Sequence, residues 1–316
     1  MLSPDAPLFL DVADAPPGGS AFWFHAADGA RLRGAVWPGG TDGQRGSVIL
    51  MPGRTEYIEK YGLVIGRLRA RGLAVAVIDW RGQGLSDRDR REPRLGHVTD
   101  FALYQQDLDA FLATPQVAAL PRPRLMLAHS MGGCIGLRAL IRRLPFEAAI
   151  LSAPMWGIRI DPAMRPLAMA LFAAAPLIGL GRMFAPGTTA ASYAVNEPFA
   201  SNLLTTDPAA HDRFVHQLTQ HPELALGGPS LGWLGAAHRE MAALARMDMP
   251  ALPVLAFAGL DEGIVELPPI RAHVGHMAQG RLIELPGARH EVLMESPSIQ
   301  DRVWAGIDGF LDRLTA

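Results

Sequence analysis

Short apolar runs, each followed by a helical repeat of apolar positions, organise the first half of this chain. Residues 21–25 and 31–37 flank a turn at Asp28-Gly29 and predict a hairpin. Residues 47–51 form an apolar run stopped by Pro52-Gly53. From Glu56, the apolar residues Ile58, Tyr61, Ile65 and Leu68 recur at helical spacing, and Gly72 ends the run. Residues 73–78 are almost continuously apolar, as a central parallel strand buried on both faces requires. The spacing then predicts a helix over 101–112, a strand over 124–127, a helix over 131–144 and a strand over 148–151. This alternation predicts an α/β fold, a mostly parallel sheet flanked by helices.

After Pro154 the pattern changes. Residues 155–245 contain no convincing strand and are rich in Ala, Met, Leu, Gly and Pro. Strands are expected again at 254–257 and 282–285, with a closing helix over 298–314. The chain is therefore expected to divide into a core over 1–154, a helical cap over 155–245 inserted between sheet strands, and the rest of the core over 246–316. Within the insertion, 202–207 and 227–233 read as turns, and Asp207-Pro208 as a helix start.

The chemistry is concentrated at Ala128-His129-Ser130-Met131-Gly132, between a predicted strand and a predicted helix. A serine at the apex of a sharp strand-to-helix turn is the nucleophile elbow of serine hydrolases. An ordinary hydroxyl is a poor nucleophile, so it must stand clear of the sheet beside a base, with N–H groups ready for the oxyanion. Ala128 stands where G-x-S-x-G has its first glycine; Gly132 keeps the second. His129 adjoins Ser130, but such a turn points neighbouring side chains apart, so His129 reads as a packing residue.

Triad partners in such enzymes follow in the order Ser, acid, His. Asp261 and Glu262 follow the strand at 254–257, and His290 follows the strand at 282–285. Ser130 is thus the expected nucleophile and His290 the base. Only one of two adjacent carboxylates can face the imidazole. Spacing from Gly259 and from the apolar Ile264-Val265 favours Glu262, with Asp261 as the alternative. The oxyanion donors are expected to be the backbone N–H groups of Met131 and Arg54, the latter on the loop after the third strand.

Composition narrows the alternatives. The chain has 316 residues with a formal charge of −2, which gives no general attraction for nucleic acid. A single Cys134 excludes an intrachain disulfide and reads as a buried core thiol. No P-loop, dinucleotide fingerprint or zinc-ligand spacing is present, so neither cofactor nor metal is expected. The uncharged stretch 166–181 is shorter than the ~20 residues a bilayer span needs. Residues 1–5 lack the basic and apolar regions of a secretory signal, so a cytoplasmic location is expected.

Together these residues resemble the α/β-hydrolases of the bacterial lysophospholipase and monoacylglycerol lipase type. Pro52-Gly53-Arg54-Thr55-Glu56 with Tyr61 is similar to that group's H-G-x-x-E…Y segment, with Pro52 in place of His. Asp79-Trp80-Arg81-Gly82-Gln83-Gly84-Leu85-Ser86 resembles its D-x-R-G-x-G-x-S loop. His97-Val98-Thr99-Asp100-Phe101, the serine elbow and the Gly287-to-His290 segment complete the match, which covers 20–155 and 248–314. The resemblance implies the α/β-hydrolase fold, Ser130 as nucleophile, His290 as base, and Glu262 as the acid just before x-I-V.

These features predict a serine carboxylic-ester hydrolase acting through an acyl-enzyme on a small acyl ester or lipid. The alternatives are an acyltransferase with the same triad and a hydrolase-fold binding protein without turnover; nothing points to recognition of a peptide terminus. Activity is expected to fall as His290 protonates, around or below pH ~6.5. Met164, Leu167, Met169, Leu171, Phe172, Leu177, Met183 and Phe184 give the insertion more apolar side chains than one small helical face needs. They predict an acyl-chain site that also touches a membrane surface, with packing onto the core as the alternative. Glu56, Met164, Phe172 and Trp233 are the candidate pocket residues. Arg54 invites two readings, a contact to a substrate phosphate and a local ion pair with Glu56.

Overall fold

The computed structural model describes residues 5–39 and 45–315. Strands β1 (Ser20–His25) and β2 (Arg31–Trp37) form the expected antiparallel hairpin. Six further strands follow: β3 (Gly46–Met51), β4 (Leu73–Asp79), β5 (Arg124–His129), β6 (Ala148–Ser152), β7 (Val254–Gly259) and β8 (Gly280–Leu285). They lie side by side in the order β1-β2-β4-β3-β5-β6-β7-β8. Every pairing from β4 to β8 is parallel, and β2 joins β4 antiparallel.

The period-two geometry of β4 explains how the sheet is covered. Ala74, Ala76 and Ile78 face one apolar layer, while Leu73, Val75 and Val77 face the other. On the first face the layer includes Leu108 and Phe111 of α2 (Ala102–Ala113) and Cys134 and Leu137 of α3 (Met131–Ile141). On the second it includes Ile65 and Leu68 of α1 (Gly62–Arg69) and Trp304 and Ile307 of α8 (Pro297–Thr315). A strand coated on both sides must be apolar throughout, which is why β3, β4 and β5 are the uninterrupted runs of the sequence.

The segment between β6 and β7 carries α4 (Arg165–Ala174), α5 (Pro208–Gln220) and α6 (Leu231–Leu244). The Asp207 carboxylate accepts from the Ala209 N–H at 3.2 Å and caps α5, as the Asp-Pro pair suggests. The predicted turn at 227–233 needs correction at its end. Ser230 Oγ accepts from the Trp233 N–H at 3.0 Å, so this cap starts α6 at Leu231 and places Trp233 inside a helix. Helix α7 (Leu267–His276) was also not expected. Of residues 1–5, which lack the features of a secretory signal in the sequence, residues 1–4 lie outside the described residues. Among the described residues no helix is long and apolar enough to cross a membrane.

Candidate active site

The turn between β5 and α3 is bent hard at Ser130, whose backbone sits at φ 49° and ψ −115°. A non-glycine residue at positive φ is costly and survives only where the surroundings hold it. Here the Ser130 N–H donates to the Ser152 carbonyl at 2.9 Å, and the Ser130 carbonyl accepts from the Gly133 and Met155 N–H groups, both at 2.9 Å. Two glycines let α3 approach so closely. A Cβ on Gly132 would lie 2.1 Å from the Met51 carbonyl oxygen, and one on Gly133 would lie 2.7 Å from Pro154 Cβ. Ala128 is not crowded from the α3 side: even a Cβ at residue 136 would lie 3.5 Å from its own, an ordinary contact.

His290 stands on the loop after β8, with Nδ1 2.8 Å from Glu262 Oε2. The other Glu262 oxygen accepts from the N–H groups of Ile264 at 2.7 Å and Val265 at 3.2 Å. Asp261 is exposed and makes no contact to His290; its N–H donates to Ala288. Burial raises the Glu262 carboxyl, but the adjacent imidazole and the two amides outweigh it and hold the group below the usual carboxylate range. Burial lowers His290, yet the Glu262 carboxylate beside it raises the imidazole above its ordinary value. Ser130 and His290 line one cavity of about 450 Å³, and among the described residues Ser130 Oγ has no hydrogen-bond partner.

His129 is buried, as a packing residue would be, and what it packs against is His290. The two imidazole rings lie 4.8 Å apart, and His129 Nδ1 is 3.0 Å from Ser152 Oγ. Burial pulls His129 down to about 4, so it is neutral at pH 7 and adds no charge against His290.

The loop after β3 is fixed from several sides. Glu56 Oε2 accepts from the Gly53 N–H and the Tyr61 hydroxyl. Gln83 Nε2 donates to the carbonyls of Gly53 at 2.7 Å and Glu56 at 3.0 Å. Trp80 Nε1 donates to the Pro52 carbonyl at 2.9 Å. The contact of Gly132 with Met51 brings this loop against the start of α3. The N–H groups of Arg54 and Met131 thus belong to adjacent segments, and neither has a partner among the described residues. Met131 is the first residue of α3, where helical amides are left free for a ligand.

Glu56, His129 and Glu291 bring potential metal-ligating atoms within 4.8 Å of one another. The Lys60 ammonium already lies between the carboxylates, 2.8 Å from Glu56 and 2.5 Å from Glu291, so the chain supplies its own cation there. Burial raises the Glu56 carboxyl, but Lys60 and His129 more than reverse this and hold it at about 2. Sequence reasoning overlooked Glu291, although a charge directly after His290 was a visible signal.

Of the remaining candidates, Glu56 and Trp233 line the cavity, whereas Met164 and Phe172 do not. Phe172 is buried where α4 packs on α6, its ring 5.4 Å from that of His238; Met164 is 53% exposed. Leu203, Leu204, Met155, Ile158, Ile264 and Val265 supply the apolar walls instead. The expected Arg54–Glu56 ion pair is absent, since Glu56 is taken by Lys60. Arg54 Nη2 donates to the Gly227 carbonyl at 2.9 Å, and its guanidinium lies 5.3 Å from the Trp233 ring. A larger cavity of about 640 Å³ opens between α6 and α7, but none of Ser130, Glu262 and His290 lines it.

The family model described as serine aminopeptidase, S33 (Hydrolase_4) matches residues 42–297. Lysophospholipase L2 of Escherichia coli (strain K12) is 32% identical over 279 residues, covering 84% of this chain and 80% of that protein. A monoacylglycerol lipase of Mycolicibacterium smegmatis is 28% identical, covering 86% of this chain and 90% of its own. Among solved structures, a soluble variant of the Saccharomyces cerevisiae monoglyceride lipase superposes with a TM-score of 0.71 at 22% identity, covering 92% of this chain and 94% of that one. A Bacillus coagulans carboxyl esterase superposes with a TM-score of 0.74 at 18% identity, covering 95% and 100% of the two chains. These two superpositions speak for the fold.

Proposed function

The chain belongs to the serine aminopeptidase S33 family of α/β-hydrolases, and on that premise we propose that it hydrolyses lipid acyl esters through a Ser130 acyl-enzyme. Lysophospholipids and monoacylglycerols are the substrate class, in keeping with the relatives and with the apolar cavity walls. The observation that carries the reading is the Glu262–His290 pair behind the cavity that Ser130 lines.

In this scheme Ser130 Oγ attacks the ester carbonyl carbon while His290 Nε2 takes its proton. Glu262 holds the Nδ1–H tautomer and stabilises the imidazolium. The Arg54 and Met131 N–H groups hold the tetrahedral oxyanion. As the C–O bond breaks, His290 returns the proton to the departing alcohol. Water then attacks the acyl-enzyme by the same route, releasing the fatty acid and free Ser130. The β6–β7 segment acts as a cap over the cavity. Its outward apolar side chains, including Leu167, Leu177 and Ile178, touch a lipid surface.

The test is a panel of acyl esters with an aminoacyl anilide included, run with wild type and Ser130→Ala. Wild type is expected to cleave the esters and to be labelled by a fluorophosphonate. Removing the nucleophile of such a triad costs up to ~10⁶ in kcat, so Ser130→Ala should be inactive and unlabelled. Ester cleavage that survives in Ser130→Ala overturns the reading. Acylation of an added alcohol in preference to water would make the enzyme a transferase.

A further inference from the structure

Arg54 is the only Arg or Lys among the described residues lining the Ser130 cavity. Of the five N–H donors a guanidinium carries, the structure uses one, from Nη2 to the Gly227 carbonyl. Its Nε is buried without a partner, and among the described residues no carboxylate lies within ion-pair distance. Trp233 lies against the guanidinium and Gly96 leaves room for it, since a Cβ there would come within 2.4 Å of Nη2. The group is therefore held in one place. Burial, only partly offset by Tyr104, pulls it down to about 10, so it is charged at neutral pH. A largely buried cation without an anion is costly, and a built position for one beside a substrate cavity indicates that the anion arrives with the ligand.

We propose that Arg54 reads the phosphate of the substrate: its guanidinium binds the phosphodiester of a lysophospholipid headgroup while the acyl carbonyl sits at Ser130. This rests on the ester-hydrolase reading above and selects within its substrate class. The same residue offers its N–H to the carbonyl and its guanidinium to the phosphate, so the two contacts are one arginine side chain apart. The glycerol bridge between an ester carbonyl and a phosphate spans a similar number of bonds. Guanidinium suits this task because its planar fork matches phosphate oxygens.

The experiment compares kcat/KM for a lysophospholipid and a monoacylglycerol of the same acyl chain, in wild type and Arg54→Gln. Losing a hydrogen bond to a charged group should lower the lysophospholipid-to-monoacylglycerol ratio about 10- to 100-fold, whatever happens to the monoacylglycerol rate itself. An unchanged ratio overturns the assignment, because it leaves Arg54 only the task of holding Gly227. A second measurement needs no variant: inhibition of p-nitrophenyl butyrate hydrolysis in wild type by glycerophosphocholine, inorganic phosphate and glycerol. Competition by glycerophosphocholine but not glycerol supports the proposal. Inorganic phosphate competing as well as glycerophosphocholine, or no competition at all, overturns headgroup reading. A wild type inactive on every ester refutes the hydrolase reading itself, which is a different outcome from a ratio that does not move.

Discussion

The Glu262–His290 pair sets the pH behaviour of the proposed reaction. His290 can act as base only when neutral, and the neighbouring carboxylate raises its pKa. Its protonated form therefore persists to higher pH than in a free imidazole. As pH falls, kcat/KM should be half lost at a midpoint above ~6.5, not around or below it as the sequence alone suggested. Glu262→Gln removes the raising charge and the tautomer anchor together. Its midpoint should move down and its kcat should drop by ~10⁴. Profiles on a soluble ester from pH 5 to 9 measure both, and an unmoved midpoint would exclude Glu262 as the controlling charge. The exposed Asp261, replaced by Asn, should leave the profile where it is. That choice was open in the sequence because the two acids are adjacent. In space it depends on the amides of Ile264 and Val265, which grip one Glu262 oxygen and aim the other. Arg54 and Glu56 were misread for a similar reason. Two residues apart they look like partners, but Thr55 between them has φ 67°, and Glu56 bonds back to Gly53 and Lys60 while Arg54 reaches Gly227.

At the level of elements, each expected strand is present, and the differences fall at the ends. β5, β6 and β7 run on beyond their apolar stretches through His129, Ser152 and Gly259. His129 and Ser152 pair within the strands and meet each other by side chain, and His129 lines the Ser130 cavity. Polarity hid these two from a search for apolar runs, and Gly259 has no side chain to register in one. α7 was hidden by Pro268-Pro269. Both prolines lie in its first turn, where the missing N–H groups would have had no helical partner. Glycines gave a clearer signal at the elbow, and two substitutions separate crowding from backbone freedom. Gly132→Ala places a methyl 2.1 Å from a main-chain oxygen that cannot move without shifting β3. It should cost at least the ~1–3 kcal/mol of an overpacked core, and lower activity as well. Gly66→Ala, inside α1, meets nothing closer than 3.9 Å and should gain ~0.5–1 kcal/mol from helix propensity. Urea unfolding of both variants checks the pair. Equal midpoints would mean that α3 does not need its close approach to β3.

Across the whole molecule, apolar surface is distributed unevenly. Leu177 is 86% exposed, Ile178 66%, Leu167 64%, Met164 53% and Met183 52%, all within one stretch of the β6–β7 segment. The sequence marked Met164, Leu167, Leu177 and Met183 for an acyl-chain site that also touches a membrane, and these four face outward, while Phe172 and Ala175, with Ala168, Met169 and Leu171 partly buried beside them, seat α4 and the turn after it on the molecule. Arg165 and Arg182 lie just inside its two ends, each half exposed and paired with Glu266 and Asp89 respectively. Full burial of one Leu or Ile side chain is worth ~1.5–3 kcal/mol, so a few of them give reversible attachment to a bilayer without any spanning helix. The double variant Leu177→Ser/Ile178→Ser should therefore weaken binding to phospholipid vesicles by about tenfold or more, even if immersion is only partial. Its hydrolysis of a soluble short-chain ester should be unchanged, since neither residue lines the Ser130 cavity. Vesicle sedimentation paired with that assay reads both effects. Should the wild type stay in the supernatant, or the double variant sediment as well as wild type, this face does not meet lipid. Repeating the sedimentation at high salt separates the contributions: binding through Leu177 and Ile178 persists, whereas attraction through Arg165 and Arg182 is screened away.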